Sequence, residues 1–179
     1  MNIFVIVTDS MRKDAIGVYG SNIKTPNIDS LGKDGTVFTN AFSEGLPTLP
    51  TRTTWWTGRY TFPVRGWQPF ETSDLLLAEA LWDRGYTSCL VSDTYHMHKP
   101  VYNCGRGFDT VAWVRGQEYD SWIVDDIPVD INKYHRLKGD ETDDLWRPRF
   151  EQYLKNTSWY RGEEDYCIAR VFKEAIRWL

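Results

Sequence analysis

The chain opens on a run of β-branched and aromatic residues, positions 3–7, that leads directly into Thr8-Asp9-Ser10. An apolar residue at every position predicts a strand buried on both faces, and such strands belong to parallel sheets. Polar residues at the carboxyl end of a parallel strand lie where open α/β sheets bind their ligands. Asp9 is therefore a candidate ligand-binding residue, although an aspartate at a strand end also acts as a cap or turn former.

Helical and strand patterns alternate along the rest of the chain. Thr25-Pro26 and Gly35 bracket a predicted helix, because threonine caps helices, proline suits their first turn and glycine ends them. Further helices are predicted at residues 48–57, at 75–84 and from about Glu163 to the last residue, and further strands at 36–42, 86–91 and 111–114. This alternation predicts an α/β layered fold.

Composition and charge exclude several classes of protein. The 179 residues include 21 Lys and Arg against 25 Asp and Glu, a formal net charge of −4, which argues against a nucleic-acid partner. No apolar run is long enough to cross a bilayer, so no membrane partner is expected. Residues 3–7 are too short for a signal peptide and lack a basic flank. A protein starting at Met1 is therefore expected in the cytoplasm, with its three cysteines as free thiols.

The most informative segment joins a loop to the predicted helix at residues 48–57. It contains Thr48-Leu49-Pro50-Thr51-Arg52. The first N–H groups of a helix are unpaired and its dipole is positive there, so a phosphate or sulfate group binds favourably. Arg52, one turn on, would offer a planar donor fork to the same anion. A divalent cation on Asp9 would activate the Thr48 hydroxyl. In the alternative interpretation, Thr48 is an N-cap and Arg52 a surface cation.

A series of motifs surrounds this segment in a fixed order. They are Thr8-Asp9-Ser10-x-Arg12, Gly17-Val18-Tyr19-Gly20, Thr25-Pro26-Asn27-Ile28-Asp29-x-Leu31, Gly35-x-x-Phe38-x-x-Ala41, Thr48-x-Pro50-Thr51-Arg52, Thr57-Gly58-Arg59-Tyr60 and Leu77-Ala78-x-x-Leu81-x-x-x-Gly85-Tyr86. Together they resemble the N-terminal half of the sulfatases, within the alkaline phosphatase superfamily. The resemblance covers residues 2–93 closely and weakens afterwards.

The resemblance implies a three-layer α/β/α sandwich around a mostly parallel sheet, and metal-dependent hydrolysis of sulfate or phosphate esters. Asp9 matches the first metal-binding aspartate of the family, Thr48 the nucleophile and Arg52 the arginine that steadies the nucleophile and the anion. Asp9 and Thr48 would hold a divalent ion, which one carboxylate cannot restrict beyond Ca²⁺, Mg²⁺, Mn²⁺ or Zn²⁺. The substrate would be a small-molecule or glycan ester.

Three positions depart from the family pattern. Ser10 replaces a second aspartate found in many members, so one carboxylate ligand is lost. Thr48 stands where sulfatases carry the Cys or Ser that becomes formylglycine, and threonine cannot form that aldehyde. It resembles instead the phosphodiesterase and phosphonate-ester branches, in which the alkoxide attacks directly. His96 is the best match to the family histidine and would either donate a proton to the leaving group or bind the nonbridging oxygens, with His98 or Lys99 as substitutes.

The second half of the chain is harder to interpret. Residues 99–145 are rich in Gly and Asp, which predicts an irregular insertion or an active-site rim. This region contains a polar cluster, which predicts either a contact to the leaving group or a structural turn. The cluster consists of Arg115-Gly116-Gln117-Glu118 and Asp120. No Asp-His or Asp-Asn pair before Gly follows residue 100. Residues 1–179 are therefore expected to be the N-terminal part of a longer catalytic domain, inactive alone. The alternatives are a non-catalytic module that binds a glycan or anion through its nine tryptophans, and a degenerate pseudoenzyme.

Overall fold

The computed structural model describes residues 1–133 and 143–179. The chain forms two compact units, Met1–Ser43 and Glu44–Leu179, and each is described by itself. None of the helices in the described ranges is long and apolar enough to cross a membrane.

The first unit contains one α-helix, α1, at Pro26–Asp34, preceded by two short 3-10 helices. Its boundaries confirm the prediction, with Thr25 at the N-cap, Pro26 in the first turn and Gly35 at the C-cap. The Thr25 hydroxyl does not cap the helix. It accepts a hydrogen bond from Gly17 N at 2.8 Å and donates to Asp29 Oδ1 at 2.9 Å, which ties α1 to the preceding 3-10 helix.

The predicted strands at residues 3–7 and 36–42 are wrong for this structure, since neither segment forms regular secondary structure. Their apolar side chains are exposed, Phe4 to 62%, Val5 to 74% and Phe42 to 92%. An apolar run indicates burial, but a strand also needs a neighbour that pairs with its backbone. Met1–Ser43, all of which is described, contains no other strand to serve as that neighbour.

The second unit begins with two helices. Helix α2 covers Thr48–Thr57 and ends at Gly58, whose φ of 67° is the left-handed conformation that glycine adopts without strain. Both boundaries confirm the prediction. Helix α3 covers Leu77–Trp82 and is shorter than the predicted 75–84. It begins later because the Asp74 carboxylate binds Arg65 and the Glu71 N–H instead of capping a helix.

Two strands form a parallel sheet that confirms the α/β class. Strand β1 is Cys89–Ser92 and strand β2 is Thr110–Trp113, paired from Cys89 opposite Thr110 to Ser92 opposite Trp113. Both lie close to the predicted strands. Strand β1 is shorter than the predicted span 86–91 and ends one residue later, and β2 is shifted by one residue from the predicted span 111–114. The connection between them contains 3-10 helices at Tyr95–His98 and Pro100–Tyr102. The full three-layer sandwich stays a prediction.

Two further helices follow β2. Helix α4, Asp143–Thr157, was not predicted, because Pro148 interrupts a polar pattern with little helical periodicity. Residues 134–142 of the predicted irregular region lie outside the described residues. The predicted C-terminal helix exists as α5, Cys167–Trp178, after a 3-10 turn at Glu163–Asp165.

One buried cluster forms the core of the second unit. It joins α2 and the segment before α3 to the connection between β1 and β2. Its members are Leu49, Phe70, Leu76, Met97 and Cys104, with Trp56, Leu90, Tyr102 and Trp113 packed against them. Residues that are next in sequence to a member of this core have their backbone held close to it.

Candidate functional site

Thr48 is the first residue of α2, and its side chain is half-buried. The first backbone hydrogen bond of the helix runs from Thr51 N to the Pro47 carbonyl oxygen, at 3.1 Å. Thr48 and Leu49 therefore offer N–H groups that the helix itself cannot pair, and Pro50 has no N–H. The N-cap alternative is wrong, since Pro47 occupies the N-cap and Thr48 lies within the helix.

Glu44 fixes the segment that leads into α2. Its carboxylate accepts hydrogen bonds from Thr54 Oγ1 at 2.6 Å and from the N–H groups of Thr61 and Phe62 at 2.9 and 2.5 Å. The Thr54 hydroxyl, and after it the Phe62 N–H, hold the pKa of Glu44 below its ordinary value. Sequence patterns did not indicate Glu44, because its Phe62 partner is 18 residues away along the chain.

Arg52 lies on the same helix, one turn after Thr48. Its guanidinium stacks over the ring of Trp55, 4.8 Å from the centroid. Its charge also acts on the buried thiol of Cys104. Burial raises the pKa of Cys104 to about 12, and the positive charge of Arg52 opposes that rise. The guanidinium is therefore a half-buried cation close to the core rather than a side chain extended into solvent.

His96 lies after β1 and is surrounded by aromatic rings. Trp67 meets it edge to face with centroids 4.7 Å apart, and Tyr95 is tilted against it at 3.9 Å. The Trp67 indole is held in place because its Nε1 donates to the Tyr102 hydroxyl at 2.9 Å. Glu118 Oε2 lies 3.9 Å from His96 Nε2. The ring therefore has a defined orientation with a carboxylate beside one nitrogen.

Thr48, Arg52 and His96 are all attached to the same core. Leu49 and Met97 belong to the buried cluster and are 2% and 3% exposed. Thr48 immediately precedes Leu49, Arg52 follows on the same helix, and His96 immediately precedes Met97. Each of the three predicted catalytic residues is thus next in sequence to a member of this cluster or on the same helix as one, while their grouping into one site stays a prediction.

His98, the substitute for His96, has a different environment. Both of its ring nitrogens are buried without a hydrogen-bond partner, and its ring packs on Trp113 with centroids 4.8 Å apart. Burial lowers the pKa of His98 most strongly; Asp120 raises it and Arg115 lowers it further. The imidazole of His98 is therefore enclosed, and its environment favours the neutral form.

The polar cluster after β2 is built as a structural turn. Arg115 donates from Nε and Nη2 to the two carboxylate oxygens of Asp120, both at 2.6 Å, and Gly116 N donates to Asp120 Oδ2 at 2.9 Å. Burial acts to raise the pKa of Asp120, but these hydrogen bonds outweigh it and lower the pKa. The fully buried Asn156 donates to the Asp120 carbonyl at 2.7 Å and joins the turn to α4.

Asp9 belongs to the first unit. It is exposed, and its Oδ1 lies 3.4 Å from the Ser10 hydroxyl, with Ser10 in a left-handed conformation, φ 53°. Among the residues that the structure describes, no three His, Cys, Asp or Glu side chains come together to hold a metal ion. A divalent ion needs several such ligands, so these residues do not fit a complete metal site. The sharing of an ion by Asp9 and Thr48 stays a prediction.

Comparison with known proteins identifies the family. The sulfatase family model matches residues 1–161. The ulvan-active sulfatase of Formosa agariphila is 43% identical over 136 residues, which cover 74% of this chain and 25% of that protein. Human N-acetylgalactosamine-6-sulfatase is 30% identical over 153 residues, covering 72% of this chain and 28% of that protein. The N-acetylglucosamine-6-O-sulfatase of Bacteroides thetaiotaomicron is 25% identical over 146 residues, covering 79% and 25%.

The chain spans about a quarter of the length of these curated relatives. No solved structure matches this one significantly. The family match covers most of the chain and includes the segments that carry Asp9, Thr48, Arg52 and His96. The resemblance drawn from the motifs is therefore confirmed, and the chain belongs to the sulfatase family, within the alkaline phosphatase superfamily.

Proposed function

We propose that the full protein hydrolyses sulfate esters and that its substrate is a sulfated glycan. The proposal is supported by the family and by three relatives whose names specify ulvan or a sulfated amino sugar. The observation that supports it is that Leu49 and Met97, which directly follow Thr48 and His96 in the sequence, belong to one buried cluster.

Thr48 is the proposed nucleophile. In the first step its oxygen forms a bond to sulfur while the bond from sulfur to the leaving oxygen breaks, which gives a covalent threonine ester. The hydroxyl proton passes to solvent, and a water molecule later cleaves the ester and regenerates Thr48. Direct attack follows from the residue type, since threonine cannot form the formylglycine aldehyde.

The start of α2 stabilises the negative charge of the sulfate in this proposal. The N–H groups of Thr48 and Leu49 point from the positive end of the helix dipole, where an anion binds favourably. Arg52, one turn on, adds a guanidinium that binds planar oxygen pairs in a bidentate manner. Donors fixed before the reaction act on the developing charge without reorganisation.

His96 is the proposed proton donor to the leaving oxygen. A sugar alkoxide is a poor leaving group, so protonation in the transition state contributes typically a factor of about 10²–10⁴ in rate. His96 suits this role better than His98 because a carboxylate faces its Nε2, whereas both nitrogens of His98 are enclosed.

The proposal includes a divalent ion, but the described residues supply only part of the ligands that such an ion needs. Sulfatases are generally dependent on such an ion. Asp9 and Thr48 are the proposed ligands from this chain, for Ca²⁺, Mg²⁺, Mn²⁺ or Zn²⁺. The described residues do not assemble three ligands, so no step above is derived through the metal.

A phosphate or phosphonate ester is the second candidate substrate. The observation that favours it is Thr48 itself, at a position where sulfatases carry Cys or Ser. The chemistry of attack is the same, with phosphorus in place of sulfur. The two candidates differ only in which ester the full protein turns over faster.

The test compares Thr48→Ala with Thr57→Ala, a control at the other end of α2, in the full-length protein. Turnover of a sulfated oligosaccharide, para-nitrophenyl sulfate and para-nitrophenyl phosphate is measured for each. We expect Thr48→Ala to lose a factor of about 10³ or more on every ester that the wild type cleaves, as for other removed nucleophiles. Thr57→Ala should retain turnover. Activity retained by Thr48→Ala in a folded protein would refute Thr48 as nucleophile. Glycan binding without turnover in the wild type would favour a binding module or pseudoenzyme.

A further inference from the structure

Glu118 faces His96 from the loop that follows β2. Its Oε2 lies 3.9 Å from His96 Nε2, and the two side chains are 40% and 19% exposed. The backbone of Glu118 is left-handed, with φ of 49°. A residue other than glycine is strained in this conformation, which therefore persists only where surrounding contacts hold the backbone.

Contacts with α4 and with the segment after β1 hold this loop in place. The Glu118 carbonyl accepts a hydrogen bond from Asn156 Nδ2 at 3.4 Å. The next residue, Tyr119, packs against Tyr95 with ring centroids 4.5 Å apart, and the Arg149 guanidinium lies 4.8 Å from the Tyr119 ring. The loop is therefore held at Glu118 and at Tyr119, and Gln117 Nε2 donates to the Glu118 carboxylate oxygen Oε1 at 3.3 Å.

The other charged or titratable groups around His96 have their own partners. They are Tyr119 from the same loop, Tyr95 and Lys99 from the segment after β1, and Arg149 from α4. Lys99 stacks over Tyr95 at 5.5 Å, and Arg149 stacks over Tyr119. Burial raises the pKa of Tyr95, so that phenol stays neutral. None of these four groups places a negative charge beside the imidazole, whereas Glu118 Oε2 lies 3.9 Å from His96 Nε2.

We propose that Glu118 is a positioning residue for His96, an inference that rests on the proposed function. A carboxylate beside Nε2 favours the protonated imidazole and fixes the ring, so that Nδ1 delivers the proton. As the bond from sulfur to the leaving oxygen breaks, that oxygen takes the proton of Nδ1, while Nε2 keeps its proton beside Glu118. The 3.9 Å between His96 Nε2 and Glu118 Oε2 is an ion-pair distance, and contacts in catalytic sites are often long without substrate and shorten when it binds.

The direct test follows the protonation of His96 by NMR. The chain has three histidines, so the imidazole resonances can be assigned with single His96 and His98 variants. The variants are Glu118→Gln, which keeps the shape and removes the charge, Glu118→Asp, which keeps the charge, and Glu163→Gln, an exposed control. We expect Glu118→Gln to lower the midpoint of the His96 titration by about 0.5 to 1 pH unit, because an opposite charge at about 4 Å favours the protonated form and partial exposure weakens it.

Turnover supplies a second, independent measurement. Glu118→Gln should reduce kcat/KM about 3- to 10-fold on a sugar sulfate near neutral pH and shift the alkaline limb of its pH profile downwards. It should change little on para-nitrophenyl sulfate, whose leaving group needs no proton. Glu118→Asp should restore part of the loss, and Glu163→Gln should match the wild type.

The outcomes separate this inference from the function on which it rests. An unchanged His96 titration in folded Glu118→Gln, or an equal loss on both esters, overturns the role of Glu118. A shifted titration together with full turnover by His96→Gln overturns His96 as proton donor, even though the pair exists. Thermal unfolding of each variant shows whether a lost activity reflects a lost fold.

Discussion

Asp74→Asn should destabilise the second unit more than any substitution of an exposed carboxylate. The Asp74 side chain is 0% exposed and accepts hydrogen bonds from Arg65 Nη1 and Nη2, both at 2.8 Å, and from Glu71 N, also at 2.8 Å. Arg65 is itself 13% exposed. Asparagine keeps one acceptor but leaves the guanidinium without its buried counter-charge.

The magnitude follows from this geometry. Breaking a buried ion pair by removing one partner costs about 3–5 kcal/mol. The Glu71 carboxylate, whose Oε1 lies 3.7 Å from Arg65 Nε, offsets part of the loss. We therefore expect the low end, about 3 kcal/mol, which lowers Tm by roughly 6–12 °C for a chain of this size.

The pH dependence has a definite sign. The bidentate hydrogen bond from Arg65 holds the pKa of Asp74 below its ordinary value, although burial opposes this. The pair therefore stabilises the fold above the unfolded-state pKa of about 3.9, and this stabilisation disappears as the pH falls through the lower folded value. The difference in unfolding free energy between wild type and Asp74→Asn should accordingly disappear only in strong acid.

The assay is urea and thermal unfolding followed by tryptophan fluorescence, with Asp83→Asn as control. Asp83 is exposed at the end of α3, so its substitution removes the same charge without a buried partner. A Tm for Asp74→Asn within about 2 °C of the control would refute the reasoning, since it corresponds to less than about 1 kcal/mol. A difference in stability between Asp74→Asn and wild type that stays the same in strong acid would also refute the reasoning.

Two further predictions concern the loops around His96. His98→Phe should make the Tm decrease less as the pH is lowered. Burial lowers the pKa of His98, so the unfolded state gains a proton first as the pH falls below about 6.5, and wild-type stability then decreases. Equal Tm slopes between about pH 7 and 5 in both proteins would contradict this. Asn156→Ala should cost about 2–4 kcal/mol in urea unfolding, because the Asp120 carbonyl and the Ile123 N–H lose buried partners. A cost below about 1 kcal/mol would show that these groups find other partners.

Helix boundaries were predicted well where the signals are local. Thr25, Pro26 and Gly35 bracket α1, and Gly58 ends α2, because these signals lie within one turn of the helix end, although the Thr25 hydroxyl itself binds Gly17 and Asp29. Helix α4 was missed because Pro148 breaks the pattern that periodicity detects. The strand predicted at residues 3–7 depended on a pairing partner, which no local pattern specifies.

The candidate site shows the same division. Thr48 and Arg52 could be singled out as candidates because the loop, the helix start and the arginine one turn later are consecutive in the sequence, and their catalytic roles stay predictions. Glu118 was noted only as part of a polar cluster, and its contact with His96 was not predicted, nor was that of Trp67, since each reaches His96 from a loop more than 20 residues away along the chain. Their roles depend on contacts that only the folded chain reveals. Glu44, likewise, acts through backbone N–H groups that leave no mark on composition or periodicity.

The adjacency of Leu49 to Thr48 and of Met97 to His96 restricts how this protein can be engineered. A designer who repacks these apolar positions for heat tolerance will also displace the side chains of the proposed catalytic residues Thr48 and His96. Reaction geometry is sensitive to such displacements. Stabilising substitutions are better sought on the solvent side of α5, where no predicted catalytic residue lies next in sequence.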